Sequence, residues 1–288
     1  MYDKPSTYEK KCNIFRNHIT EHFKKFRIRD ITKKEVAEFR NLLAQQDISN
    51  NYKRYILTAL KTFFNYCMKQ ELIYKNPSIT IDNFKKEKVT MKFWTINEFK
   101  GFIENVDNKI YYTLFYLMYF TGIRSGEALA LTWNDIDLKK KWIKINKSCS
   151  YIVRIGYVIS KPKTESSIRH VMINNKLVDN LASYKEKCRN DFVHFDDASY
   201  VFSYNNDIFA KTKIDRKFTE YTKKANLPKI RIHDLGHSHV ALLIHTKEDI
   251  LAIKKRLGHT DVGITLNVYG HLYDSKDREI ADKLDYII

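Results

Sequence analysis

Arg124 stands in the run Thr121-Gly122-Ile123-Arg124-Ser125-Gly126-Glu127, between an apolar stretch and the alanine- and leucine-rich start of a helix. A guanidinium is always charged and its forked donors match two phosphate oxygens, while flanking glycines let backbone come close to a ligand. Glu127 is spaced to orient it. Alone, such an arginine fits equally a surface residue or a local helix cap. Three later segments supply what phosphoryl transfer needs besides an anion clamp. Lys163 lies in Lys161-Pro162-Lys163-Thr164, just before an expected strand. An ammonium at such a hairpin tip can act as a general acid if neighbouring cations and desolvation lower its pKa. His233 and His259 lie near expected helix ends, the latter directly after Gly258, which can close a helix in a left-handed cap and leave the imidazole to donate to an anion. Tyr269 follows ten residues later. With 19 tyrosines in the chain a single phenol is ordinarily structural, and at a pKa of ~10 it becomes a nucleophile only beside cations and a base.

The run Arg231-Ile232-His233-Asp234-Leu235-Gly236-His237-Ser238-His239 admits a second chemistry. His233 and His237, four apart, resemble two zinc ligands of a metalloprotease helix, but that chemistry needs Glu after the first His and Asp234 is one methylene shorter. Gly236 also weakens a helix by ~1 kcal/mol relative to Ala. The dispersed Cys12, Cys67, Cys149 and Cys188 form no Cys-x-x-Cys pair, so neither a zinc ribbon nor a disulfide framework is expected and a reducing cytoplasm fits.

These groups need a scaffold, and 288 residues with 43% apolar content, 8 Gly and 4 Pro predict two helix-rich folded domains. The formal net charge of +17 creates a potential that attracts polyanions, which makes nucleic acid the first partner to consider, although a basic composition also serves solubility. The longest apolar stretch, Ile110 through Phe120, is roughly half the ~20 residues a spanning helix needs, so no membrane association is expected. Capping boxes at Ser6/Glu9, Thr32/Glu35 and Thr95/Glu98 mark helix starts. A helix from near Ser49 carries Ile56, Leu60, Phe63 and Cys67 on one stripe, with Arg54, Thr58, Lys61 and Asn65 opposite. Such a face is usually solvated exterior; in this cationic chain Lys53, Arg54 and Lys61 are the candidates for phosphate or groove contacts.

Pro77 closes the first domain, and the lysine-rich segment Asn83 to Lys92 reads as an exposed linker. The boundaries expected are a helical domain over 1–85, a linker over 86–92, a second domain over 93–274 and a C-terminal helix or tail over 275–288. Within the second domain the period changes to two at Trp142 to Ile145, Tyr151 to Ile159 and Ile168 to Ile173, predicting a small three-stranded antiparallel sheet among helices, hence an α+β class that is mainly α. Ser275 can cap a final helix with Ile280, Leu284 and Ile287 on one stripe.

Taken together these segments resemble the tyrosine recombinase (phage integrase) family, whose pattern is a Thr-Gly-x-Arg-x-x-Glu elbow, a hairpin lysine, His-x-Leu-Arg-His, Leu-Gly-His and a tyrosine about ten residues further on. The matches are Thr121 to Glu127, Lys163, His233 to His237, Leu257 to His259, and Tyr269. The basic helical domain before them is similar to the family's core-binding domain, so the likeness spans nearly the whole chain. The resemblance implies site-specific cutting and rejoining of duplex DNA without a nucleotide or obligatory metal cofactor. It implies Tyr269 as nucleophile forming a 3′-phosphotyrosyl link, Lys163 as acid to the leaving 5′-oxygen, His233 assisting proton transfer, and Arg124 and His259 on the non-bridging oxygens. It also implies a homotetramer on DNA, joined through the final helix and monomeric in free solution, and a cytoplasmic enzyme. The arm-reading domain that some integrases carry is either absent or outside this chain.

One position departs from the pattern: Gly236 stands where the family has its second active-site arginine. Glycine supplies neither charge nor a forked pair, and loss of an arginine that stabilises phosphoryl transfer costs ~10³ to 10⁵ in rate, roughly 4 to 7 kcal/mol. The expectation is a chain that binds DNA and cleaves it poorly, unless a neighbour such as Arg231 or Lys255 compensates. The competing expectations are a non-catalytic DNA-binding protein on the same fold and, more remotely, a zinc hydrolase.

Overall fold

The computed structural model describes residues 5–87, 91–153, 155–162, 167–204, 207–258 and 282. The expected site residues Lys163, His259 and Tyr269, and the stripe of the final helix, lie outside the described residues. The chain divides into two compact units, residues 1–90 with 152–156 and residues 91–151 with 157–288.

In the first unit α1 (Pro5–Ile14) leads through a π-helical turn into α2 (Thr20–Phe23), followed by α3 (Lys33–Gln45) and α4 (Asn50–Lys69). The capping box at Thr32 is formed, with Lys34 N donating to the Thr32 hydroxyl and the Thr32 backbone N–H donating to Glu35. Ser49 caps α4 as expected, accepting from Tyr52 N at 3.3 Å. The buried stripe of α4 is Lys53, Ile56, Leu57, Leu60, Phe64 and Cys67; Phe63 packs at its margin.

Lys53 belongs to that stripe because it precedes Ile56 by three residues, one helical neighbour on the same face. Its stem covers apolar surface while Nζ donates to Ala44 O at 2.9 Å, satisfying a carbonyl in the last turn of α3 where a cation is favoured. This corrects the expectation that Lys53 faces outward to a phosphate. Arg54 is exposed, with one guanidinium nitrogen donating to Phe84 O at 3.0 Å, and Lys61 donates to Ile81 O. Of the segment that reads as linker, Asn83 and Phe84 pack on the first unit while Lys85, Lys86 and Glu87 are exposed. Phe84 is buried beneath the Arg40 guanidinium, and Asn83 and Glu87 hydrogen bond to Thr58 and Asn51 of α4. Part of this hold had no residue signature, since Arg54 and Asn51 also donate to the backbone carbonyls of Phe84 and Glu87.

The second unit starts with α5 (Ile96–Glu104), whose Thr95/Glu98 capping box is formed, and α6 (Lys109–Thr121). Ten of the thirteen α6 residues are buried, as an all-round apolar sequence requires, so α6 is the axis of the core. Against it lie α5, α7 (Ser125–Ala130), α8 (Asn175–Asp191) and α10 (Asp234–His245), with α9 (Lys211–Lys224) contributing Ile214, Phe218 and Tyr221 to the same cluster and α11 (Ile250–Leu257) packing on α10.

Strands β1 (Ile136–Asp137), β2 (Trp142–Ile145) and β5 (Arg169–Met172) form the three-stranded antiparallel sheet in the order β1-β2-β5, with Ile143 opposite Val171. The intervening β3 (Ser148–Ile152) and β4 (Gly156–Ser160) pair with each other in a separate hairpin, and β6 (Ser203–Tyr204) and β7 (Asp207–Ile208) form another. The three-stranded sheet thus exists with two of its expected members. The expected middle strand folds on itself, and a two-residue strand too short to show periodicity takes the open edge. Among the described residues no helix is long and apolar enough to cross a membrane.

Candidate active site

Helix α6 ends at Gly122, whose φ of +66° is the left-handed cap that favours glycine, and Gly122 N donates to Met118 O at 3.0 Å. A Cβ there would also lie 2.6 Å from the His239 ring and 2.7 Å from Leu257, so helices α10 and α11 close on this turn. Gly126 serves the same end: its Cβ would lie 2.6 Å from Cys149 O of β3. Both glycines admit protein neighbours, which corrects the expectation that they clear room for a ligand.

The turn delivers Arg124 to the N-cap of α7. Glu127 N-caps the helix from within, accepting Arg124 N at 2.9 Å and the Arg124 guanidinium at 3.0 Å. The other side of the Glu127 carboxylate receives a fork from Arg169 of β5, at 3.1 and 2.9 Å. Glu127 and Arg169 are buried, whereas the Arg124 side chain is 43% exposed. Burial alone would raise the Glu127 carboxyl; the fork from Arg169 and the bonds from Arg124 outweigh it and hold the group below the usual carboxylate range. Glu127 therefore orients one exposed guanidinium by anchoring it to a buried one.

Arg169 continues inward, its Nε donating to Arg256 O at 2.9 Å. Arg256 in turn donates to Phe120 O at 3.1 Å and to His239 Nε2 at 3.0 Å. Burial and this guanidinium hold the His239 imidazole down to about 3, so it stays a neutral acceptor. These buttressing residues were not anticipated. Arg169 had a signal: it shares the inward phase of β5 with Val171, and an arginine on a buried strand face demands an acid partner. Arg256 and His239 had none, since their partners are a backbone carbonyl and each other.

On the facing element, His233 is the N-cap of α10 and Asp234 its first residue. Asp234 is buried and accepts from Arg231 three ways: from the backbone N at 2.8 Å, from Nη2 at 2.7 Å and from Nε at 3.2 Å. Burial opposes its ionisation, but these bonds hold it below the usual range. His233 is pushed below the ordinary imidazole value by lost hydration and by Arg124, Arg231 and Lys211, against the pull of Asp234. The field of Arg124 thus falls on His233, which the sequence places 109 positions later.

Gly236, one turn on, faces the same elbow: among the described residues a Cβ at 236 would meet only Gly122 O, at 3.8 Å. His237 stacks its ring edge on His233 at 5.6 Å, and lost hydration, His233 and Arg231 lower it. Among the described residues no cluster of three or more His, Cys, Asp or Glu is arranged to hold a metal. Helix α11 ends in left-handed Gly258 (φ +66°), as the sequence predicts, directly before His259.

The chain matches the model of the phage integrase family over residues 92–276 and that of the phage integrase N-terminal SAM-like domain over residues 3–44. It is 38% identical to the ICEBs1 integrase of Bacillus subtilis over 99% of this chain and 79% of that protein. It is 27% identical to a XerC-like tyrosine recombinase of Caldanaerobacter subterraneus, with the same two coverages. In fold it superposes on the Tn1549 transposon integrase in complex with transposon right end DNA, with a TM-score of 0.83, 20% identity, and 99% of this chain and 95% of that one covered. With the elbow, the buttressed arginine and the facing histidine in one unit, the chain belongs to the phage integrase family of tyrosine recombinases.

Proposed function

We propose that this site-specific recombinase joins and separates duplex DNA through a 3′-phosphotyrosyl intermediate, at a rate limited by Gly236. Arg124, oriented by Glu127, and His259 would hold the non-bridging oxygens of the scissile phosphate. The Tyr269 phenol oxygen would attack phosphorus while the 5′-oxygen departs with a proton from Lys163. His233, whose imidazole lost hydration and neighbouring cations push below its ordinary value, would take up or return a proton in the attack and its reversal. The bond energy is conserved in the protein–DNA ester, so religation needs no nucleotide. The observation that supports this reading is the exposed Arg124 guanidinium anchored through Glu127 to buried Arg169, with position 236 facing the same elbow.

The test begins with a duplex enriched from a random-sequence library by binding to this chain. That duplex is nicked at successive positions, so that cleavage releases a short fragment and traps any covalent product. A covalent adduct whose peptide maps to Tyr269, and which disappears in Tyr269→Phe, is the expected result. Tight, salt-sensitive binding with no adduct from this chain or from Gly236→Arg would instead make it a DNA clamp on the same fold.

We further propose assembly of four copies on two duplexes through residues 275–288. Deleting them should abolish slow-migrating complexes in a gel-shift series while single-site binding persists. Unchanged higher-order complexes would overturn that assignment.

A further inference from the structure

Arg231 has the geometry of a ligand-facing cation and no place in the chemistry above. Its backbone N and the Nε and Nη2 of its side chain are tied to one buried carboxylate, that of Asp234. The Nη1 edge takes no part in those bonds, and the side chain is 72% exposed. A surface arginine normally loses rotamer freedom when it binds a phosphate; here the fork to Asp234 has already removed much of it. The pair is also asymmetric. Asp234 is buried on α10 next to His233, so it fixes where the guanidinium stands, while the guanidinium projects outward. Lost hydration, Arg124 and Arg231 all lower the His233 imidazole. Glycine at 236 leaves that side of the site without the cation that an arginine there would bring.

We propose that Arg231, held at the mouth of the site by Asp234, contacts the DNA phosphate backbone beside His233 and supplies part of the donation that Gly236 cannot. This rests on the recombinase reading and deepens it. The chemistry required of the ligand is a phosphodiester oxygen within reach of the Nη1 edge, a charge-assisted hydrogen bond of the kind arginine makes best. Such a contact partly substitutes for a second arginine without matching it, because the Nε edge is already occupied.

The test is a double-mutant cycle on the adduct-trapping duplex, comparing Arg231→Gln in the parent chain and in Gly236→Arg. In the parent, Arg231→Gln should slow adduct formation by ~10-fold or more, the scale of one hydrogen bond to a charged group. In the Gly236→Arg background the same change should cost less than ~3-fold, since a forked donor is then present. The salt dependence of DNA binding should fall by about one phosphate's worth in the parent. A structural role, in which loss of Arg231 merely misplaces Asp234 and His233, slows both backgrounds alike and leaves the salt slope unchanged; that outcome overturns the proposal. Adduct from Gly236→Arg but none from the parent also overturns it, because nothing would then be compensating. No adduct in either background overturns the recombinase reading itself.

Discussion

Gly236→Arg should accelerate covalent adduct formation by ~10³, the lower end of the ~10³ to 10⁵ that one arginine supplies to phosphoryl transfer. Among the described residues the new Cβ meets only Gly122 O, at ordinary van der Waals distance. The fold should hardly notice it. Replacing glycine inside α10 gains up to ~1 kcal/mol of helix propensity, and placing a cation in the first turn of that helix costs ~0.3 to 1 kcal/mol against the dipole. These terms nearly cancel, so a rate change would not be a disguised stability change. DNA affinity should rise modestly and its salt slope steepen by about one contact. Single-turnover trapping by parent and variant decides the matter: equal rates would mean that the missing arginine limits nothing.

How far the site was legible in the sequence depended on whether a residue's partner was a side chain or the backbone. Arg124 and Glu127 could be paired from spacing alone, and both partners are side chains three positions apart. The Gly258 cap was legible because glycine, with no Cβ, takes a positive φ without strain. Lys53 was misplaced by a different mechanism. A cationic type suggested the outside, but its helical phase, three before Ile56, put it inside, and phase decided because the ammonium found a carbonyl at the end of α3. The hairpin of β3 and β4 was mistaken for a sheet member since alternation reports that a strand has two faces, and says nothing about which strand lies beside it. Arg169 is the instructive omission. Strand phase marked it as inward, and an inward guanidinium asks for a carboxylate, which Glu127 supplies from 42 residues away.

That buried pair sets the second large effect. Glu127→Ala should destabilise the second unit by ~3 to 5 kcal/mol, the cost of leaving one buried charge without its partner. Arg169 would keep its bonds to the Arg256 and Ser167 carbonyls, but carbonyl dipoles do not neutralise a guanidinium. Glu127→Gln should lose less, because an amide oxygen still accepts from one arginine. Arg124→Ala should stay within about 1 kcal/mol of the parent, since that side chain is 43% exposed and its ion pair is solvent-screened. All three tryptophans, Trp94, Trp133 and Trp142, lie in the second unit, so their fluorescence in a denaturant titration follows its unfolding without interference from the first. The same carboxylate predicts a pH signature. Its folded value lies below the ordinary 4.5, so the stability it contributes is complete above that value and is lost as pH falls through the lower folded one. In Glu127→Ala that part of the acid-side decline should vanish, and the stability difference from the parent should shrink at low pH. A variant with the parent's midpoint at neutral pH would show that Arg169 does not depend on Glu127, and Arg124 would then have no rigid anchor to orient it.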